Sequence, residues 1–159
     1  MEKQTPFGAT GRLDWFTAPR FYDRVMSQIE PELLAAAIAV KGNAHVPYSH
    51  FPVGAAIRSR TGRVFVGCNV ENAAYPQGVC AEASAISAMV SAGERLIDII
   101  VTVCDGVALS TPCGGCRQKI REFADSRTVI HAAGPEGIRS TYTIAELLPD
   151  SFGPENLLA

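Results

Sequence analysis

Cys80-Ala-Glu-Ala-Ser-Ala-Ile-Ser-Ala-Met-Val-Ser-Ala-Gly93, followed by Ile97-Asp-Ile-Ile-Val-Thr-Val-Cys104, is the stretch on which the fold turns. The first run is apolar nearly all round and predicts a buried helix over 80–92, stopped by Gly93. The second is an almost unbroken β-branched run, the pattern of a strand covered on both faces. A buried helix feeding such a strand points to an α/β architecture.

Upstream, Glu30-Pro31-Glu32 puts proline and acids in a first helical turn ahead of Leu33–Val40, and Gly42-Asn43 ends that helix. Val46-Pro-Tyr-Ser-His-Phe-Pro52 carries two prolines and predicts an extended loop. Val53–Arg58 and Arg63–Cys68 predict a hairpin turning at Thr61-Gly62. Downstream, a second helix opens at Gly114-Gly115 and runs to Phe123, and a strand covers Thr128–Ala133. A Gly-Pro-Glu-Gly turn at 134–137 leads to a short strand near Ser140–Thr143 and a short helix around Ala145–Leu148, ended by Pro149. Together these predict an α/β three-layer sandwich, a mixed five-stranded sheet flanked by helices. Residues 29–159 form its domain. Residues 1–28 form an N-terminal extension of unassigned role, whose Phe7, Trp15, Phe16, Phe21 and Tyr22 favour a packed arm over a mobile tail.

Bulk properties narrow the function. A chain of 159 residues suits one domain with one core. Fourteen basic against sixteen acidic side chains give a net charge of −2, a poor basis for the basic stripe that phosphate contacts need. The longest apolar run, Leu33–Val40, falls far short of the roughly 20 residues of a membrane span. Met1-Glu-Lys-Gln-Thr-Pro6 has no apolar stretch of the kind a signal peptide needs. Five cysteines, an odd number without disulfide-framework spacing, fit metal binding or catalysis in a reducing compartment. The expectation is a cytoplasmic protein with neither membrane nor nucleic-acid partners.

Three of those cysteines carry the chemistry. Cys113-Gly-Gly-Cys116 opens one helix and Cys80 opens another. A Cys-x-x-Cys pair with a third, distant thiolate makes a zinc site that keeps one position open, as catalytic zinc does. Helix N-termini favour thiolates there. Glu82, two residues after Cys80, is a carboxylate able to lean beside the metal and carry protons. The same spacing also fits a thioredoxin-like redox pair, or a structural zinc site completed by Cys68 or Cys104, although both of those look like core residues.

Cys80-Ala-Glu82 followed by Pro112-Cys-Gly-Gly-Cys116 resembles the zinc deaminase pattern. Tyr48-Ser-His-Phe-Pro-Val-Gly-Ala55, Asn69-Val-Glu-Asn-Ala73 and Leu147-Leu-Pro-Asp-Ser-Phe-Gly-Pro154 are similar to the short-chain, homotetrameric cytidine deaminases, with the motifs in family order over residues 30–158. That resemblance implies hydrolysis of cytidine and 2′-deoxycytidine to uridine and 2′-deoxyuridine plus ammonia, in pyrimidine salvage. It implies one zinc per chain on Cys80, Cys113 and Cys116, with Glu82 moving protons between the attacking water, ring N3 and the departing amine. It also implies that the Ala81 backbone N–H meets the pyrimidine O2, Phe51 packs on the base, Asn69 and Glu71 hold the 3′-hydroxyl, and the Ala73 backbone meets the 5′-hydroxyl. Phe152 would enter a neighbouring subunit's pocket in a homotetramer with shared active sites.

Tyr48 and Tyr75 read as pocket lining, and His45, His50 and His131 as structural or surface residues, since three cysteines already fill the ligand set. One departure stands out. Three-cysteine members of the family often carry arginine directly after the glutamate, easing the charge of three thiolates, and this chain has Ala83. Arg117, directly after Cys116, is the nearest candidate to take over. Two other readings use the same pocket chemistry, on another aminopyrimidine or on a nucleic-acid base, and a third is a non-catalytic zinc-binding module, for which Glu82 has no use.

Overall fold

The computed structural model describes residues 31–157. The N-terminal extension predicted over 1–28 lies outside the described residues. A first helix, α1, spans 31–41 and buries Leu33 and Ala37 one turn apart. Five strands follow in the chain, β1 (Val53–Ser59), β2 (Val64–Cys68), β3 (Ile97–Cys104), β4 (Val129–Gly134) and β5 (Gly137–Tyr142). Helix α2 (Ala81–Ser91) precedes β3, α3 (Gly114–Glu122) separates β3 from β4, and the short α4 (Ile144–Leu147) follows β5. Among the described residues no helix is long and apolar enough to cross a membrane.

The strands form one sheet in the order β2-β1-β3-β4-β5. β3 and β4 run parallel, joined through α3, and the other neighbours are antiparallel. This is the mixed, five-stranded sheet flanked by helices that the sequence predicts. Two differences are local. β5 begins at Gly137, opposite Gly134, so the predicted four-residue turn is a two-residue one whose outer glycines belong to the ladder. α4 begins at Ile144 because Thr143 caps it, its hydroxyl accepting from the Glu146 N–H while the Glu146 carboxylate accepts from the Thr143 N–H.

The register separates two faces. Gly54, paired with Val103, faces α1, and a Cβ there would lie 2.0 Å from the Ala37 carbonyl oxygen. Gly67, paired with Ala55, faces α2, and a Cβ there would lie 2.3 Å from the Ala85 nitrogen. Both glycines let a helix approach the sheet more closely than any side chain permits. On the α2 face, Ile57, Ile100 and Ile130 form one row, entirely buried, with Met89, Ile120 and Ala85 over it. Each such isoleucine contributes roughly 1.5–3 kcal/mol by burial. The next row towards the C-terminal end of β3 is Ala55, Thr102 and Ala132, and beyond it Val53 pairs with Cys104. The change from isoleucine to small residues opens a hollow at that end of the sheet, directly under the N-termini of α2 and α3.

Candidate active site

Cys80 and Cys113 hold equivalent places, each the extended residue that caps a helix. Cys116 follows one turn later on α3, almost wholly buried. The three Sγ atoms lie within 4.8 Å of one another, and those of Cys80 and Cys113 are 3.9 Å apart. Tetrahedral zinc with Zn–S bonds of about 2.3 Å needs sulfurs roughly 3.8 Å apart, so the donor set fits that ion. Cys68 and Cys104 do not belong to the cluster, nor do His45, His50 or His131, so the fourth-ligand reading finds no donor among the described residues. His131 is buried, with Nδ1 at 2.9 Å from the Thr141 hydroxyl, while His45 and His50 lie exposed in the 42–52 loop.

Glu82 projects from the first turn of α2 and is only 4 % exposed. The Cys116 thiol donates to its Oε2 at 3.4 Å, so the carboxyl stands directly beside the three sulfurs. Burial pushes the Glu82 carboxyl above its usual range, which favours a group that must pick up and release a proton near neutrality. Burial likewise pushes the Cys80 and Cys116 thiols up, and the Glu82 charge adds to the rise at Cys116. Burial acts on Cys113 as well, but hydrogen bonds from the Cys116 backbone N–H and from the Cys116 and Cys80 thiols outweigh it and hold that thiol below its usual value. Three sulfurs packed together with a carboxyl at their edge make a cluster suited to a cation.

Beside the sulfurs opens a cavity of about 280 Å³. Its walls include Phe51, Asn69, Ala81, Glu82, Cys80 and Cys113 from the predicted set. Ala81 is the first residue of α2, so its backbone N–H is among the helix-end donors that lack an intrahelical acceptor. The Asn69 amide accepts from the Val53 N–H at 2.8 Å and donates to the Phe51 carbonyl at 2.9 Å, bracing the strand end on which Phe51 stands. One amide hydrogen and one lone pair of Asn69 are left for a ligand.

Other predicted residues lie elsewhere. Glu71 lines a separate depression with Tyr48 and Tyr75, its Oε2 accepting from the Tyr48 and Ser49 N–H groups at 2.9 and 3.2 Å. The Ser49 hydroxyl and the Tyr48 N–H hold its carboxyl below the usual range. Tyr48 and Tyr75 meet edge to face, 5.8 Å between ring centres. Ala73 is exposed in the bend beyond Glu71. Phe152 is 59 % exposed and lines a groove with Gln118, Glu122 and Leu157, apart from the cysteine cavity of its own chain.

The cavity also has walls that sequence reading does not assign, among them Val53, Thr102, Cys104, Ser110 and Thr111. Thr102 and Cys104 sit in what reads as a plain core strand. The one signal for Thr102 is a hydroxyl inside an otherwise apolar run.

Arg117 has a different task from the one expected. Its guanidinium donates to the Pro112 carbonyl, the Leu147 carbonyl and the Thr111 hydroxyl, each at 2.8 Å. Two of its five N–H groups are therefore committed to the loop that delivers Cys113, and a third ties that loop to the end of α4. Arg117→Ala is expected to weaken zinc binding by about 10–100-fold, the range for a residue that orients a ligand. Arg117→Lys should not restore it, because an ammonium keeps the charge but cannot span the three acceptors. A chelator competition reads both, and full rescue by lysine would show that charge alone matters.

Comparison with known proteins agrees with this geometry. The family described as "Cytidine and deoxycytidylate deaminase zinc-binding region" matches residues 27–132. A cytidine deaminase of Sporosarcina psychrophila is 39% identical over 126 residues, covering 79% of this chain and 93% of that protein. The crystal structure of a cytidine deaminase from Burkholderia pseudomallei superposes with a TM-score of 0.72 at 37% identity, covering 76% of this chain and 97% of that one. A cytidine deaminase structure from Mycobacterium tuberculosis gives 0.66 at 37% identity, covering 77% and 96%.

Proposed function

The chain belongs to the cytidine and deoxycytidylate deaminase zinc-binding family, and on that premise we propose that it hydrolyses cytidine and 2′-deoxycytidine to the corresponding uridines and ammonia. The observation that carries this reading is the buried Glu82 carboxyl, 3.4 Å from Cys116 Sγ, in the wall of a cavity that also holds Cys80 and Cys113.

Cys80, Cys113 and Cys116 hold the zinc, which when bound supplies Lewis-acid activation of water. Glu82 takes the proton from the attacking water and delivers it to ring N3, where protonation breaks the aromaticity that protects C4. It then takes the second proton from the new C4 hydroxyl and passes it to the amine, so that the C–N bond breaks, ammonia leaves and the C4 carbonyl of the uridine forms. Because Glu82 is shut away from bulk water, its proton goes to substrate rather than to solvent. The Ala81 N–H orients the ring through O2, and Phe51 covers one face of the base. Asn69 and Glu71 take the 3′-hydroxyl, and the Ala73 backbone takes the 5′-hydroxyl. For Glu71 this requires the sugar to reach from the cysteine cavity towards the Tyr48–Tyr75 depression.

The substrate is a small nucleoside, and pyrimidine salvage in the cytoplasm is the setting that suits such a reaction. A panel of cytidine, 2′-deoxycytidine and a cytidine-containing oligonucleotide tests the reading. Uridine and deoxyuridine should form from the free nucleosides and not from the oligonucleotide. Preference for the oligonucleotide would contradict it.

The same cavity supports a reading of the assembly. Phe51 is 43 % exposed at its mouth, and Phe152 of the same chain does not cover it. A homotetramer in which Phe152 closes a neighbour's cavity accounts for both exposed rings, and closed symmetric assemblies are the common outcome. Light scattering should give about four times the mass of one chain. Phe152→Ala should raise KM roughly tenfold, the loss of one aromatic contact, without lowering Tm. A fully active monomer at assay concentration would refute the shared site.

A further inference from the structure

The Thr102 hydroxyl is a polar group without a task in the fold. Thr102 is 6 % exposed, and its Oγ1 has no hydrogen-bond partner among the described residues. The register explains why. Its neighbours across the sheet on the same face are Ala55 and Ala132, and its neighbours along β3 on that face are Ile100 and Cys104. Methyl groups and an apolar side chain therefore surround it, and none offers an oxygen or a nitrogen. The remaining direction on that face is the cavity, of which Thr102 forms part of the wall together with Glu82 and Ala81.

A buried hydroxyl left unpaired destabilises the fold, a penalty that a valine of the same shape avoids. The apolar surroundings would suit valine better in every respect except one, the contact with whatever fills the cavity. A threonine hydroxyl both donates and accepts, so it can meet either the second lone pair of the pyrimidine carbonyl or the exocyclic amine. The oxygen is closed off in the free protein, so pairing with a ligand requires χ1 to turn to another staggered position, which needs no backbone movement.

We propose that Thr102 is a base-recognition residue, whose hydroxyl pairs with a heteroatom of the bound pyrimidine and so helps to set which bases the cavity accepts. This inference rests on the deaminase reading of the site. It differs from a structural role in the sign of one effect. If the hydroxyl is unpaired in the free protein and paired in the complex, removing it leaves stability unchanged or improved while binding weakens.

The experiment compares wild type, Thr102→Val and Thr102→Ser, all zinc-loaded, by cytidine kinetics, by calorimetry with uridine, and by thermal melting without ligand. Thr102→Val should raise KM for cytidine and Kd for uridine about fivefold to tenfold, the worth of one neutral hydrogen bond, with a smaller change in kcat. Its Tm should equal or exceed that of wild type, and Thr102→Ser should bind within about twofold of wild type. Valine binding like wild type would overturn the inference while leaving the deaminase reading intact. So would a lowered Tm for Thr102→Val, since that shows a partner within the fold, or a serine as impaired as valine, since that shows a requirement for shape. A wild-type chain that neither forms uridine from cytidine nor binds it would overturn the deaminase reading and this inference together.

Discussion

Glu82→Gln is expected to fold, to keep its zinc and to lose nearly all turnover. The amide matches the carboxyl in size, and at this buried site its N–H can donate to the metal-bound Cys116 thiolate, 3.4 Å from the carboxyl oxygen it replaces. What it cannot do is take a proton from water and hand it on. General acid–base catalysis by one group contributes roughly 10²–10⁴-fold, and here one carboxyl serves two successive transfers, so the loss should reach the upper end of that range or exceed it. KM should change far less than kcat, because the group acts on the transition state rather than on the resting complex. Steady-state kinetics with metal analysis on the same preparation gives both numbers. Activity within about tenfold of wild type would remove Glu82 from the reaction.

The second large effect is on the metal. Cys116→Ser should lower zinc affinity by more than about 100-fold, since even partners that merely orient a ligand account for 10–100-fold. The hydroxyl is a poor donor to zinc, its position is buried at the first turn of α3, and no fourth donor belongs to the cluster among the described residues. Zinc bound to the native state also adds to its stability, so Tm of the variant should fall and should no longer respond to added zinc. Differential scanning calorimetry with and without a chelator reads this directly. A variant that retains one equivalent of zinc would show that Cys116 is not a ligand.

Most of the fold is legible in the chain because its signals are local and agree with one another. The β-branched run Ile97–Cys104 gives β3 its exact span, and the alanine-rich run after Cys80 gives α2. Cys113-x-x-Cys116 announces its cluster because both residues belong to a single turn, and three sulfurs do meet. What sequence cannot supply is register. The pairing of Ala55 with Thr102 and of Thr102 with Ala132 is set by long-range contacts, and that pairing decides that the one threonine of an apolar strand lines a cavity. Asn69 and Glu71 show the same limit. Two residues apart on an extended segment, they suggest one face, yet Asn69 lines the cysteine cavity while the N–H groups of Tyr48 and Ser49 draw Glu71 into another depression. Arg117 shows it a third time, since proximity in sequence to Cys116 points to the sulfurs, whereas its guanidinium donates to the Pro112 and Leu147 carbonyls and to the Thr111 hydroxyl.

The central claim is that one zinc held by three cysteines, with Glu82 beside it, makes this chain a cytidine deaminase. Its most direct test is a titration of zinc into metal-free protein while uridine formation from cytidine is followed by absorbance. The rate should rise in proportion to zinc and level off at about one equivalent per chain, in keeping with a single three-cysteine site. Uridine formation that is absent at saturating zinc, or that proceeds equally well without it, would contradict the account.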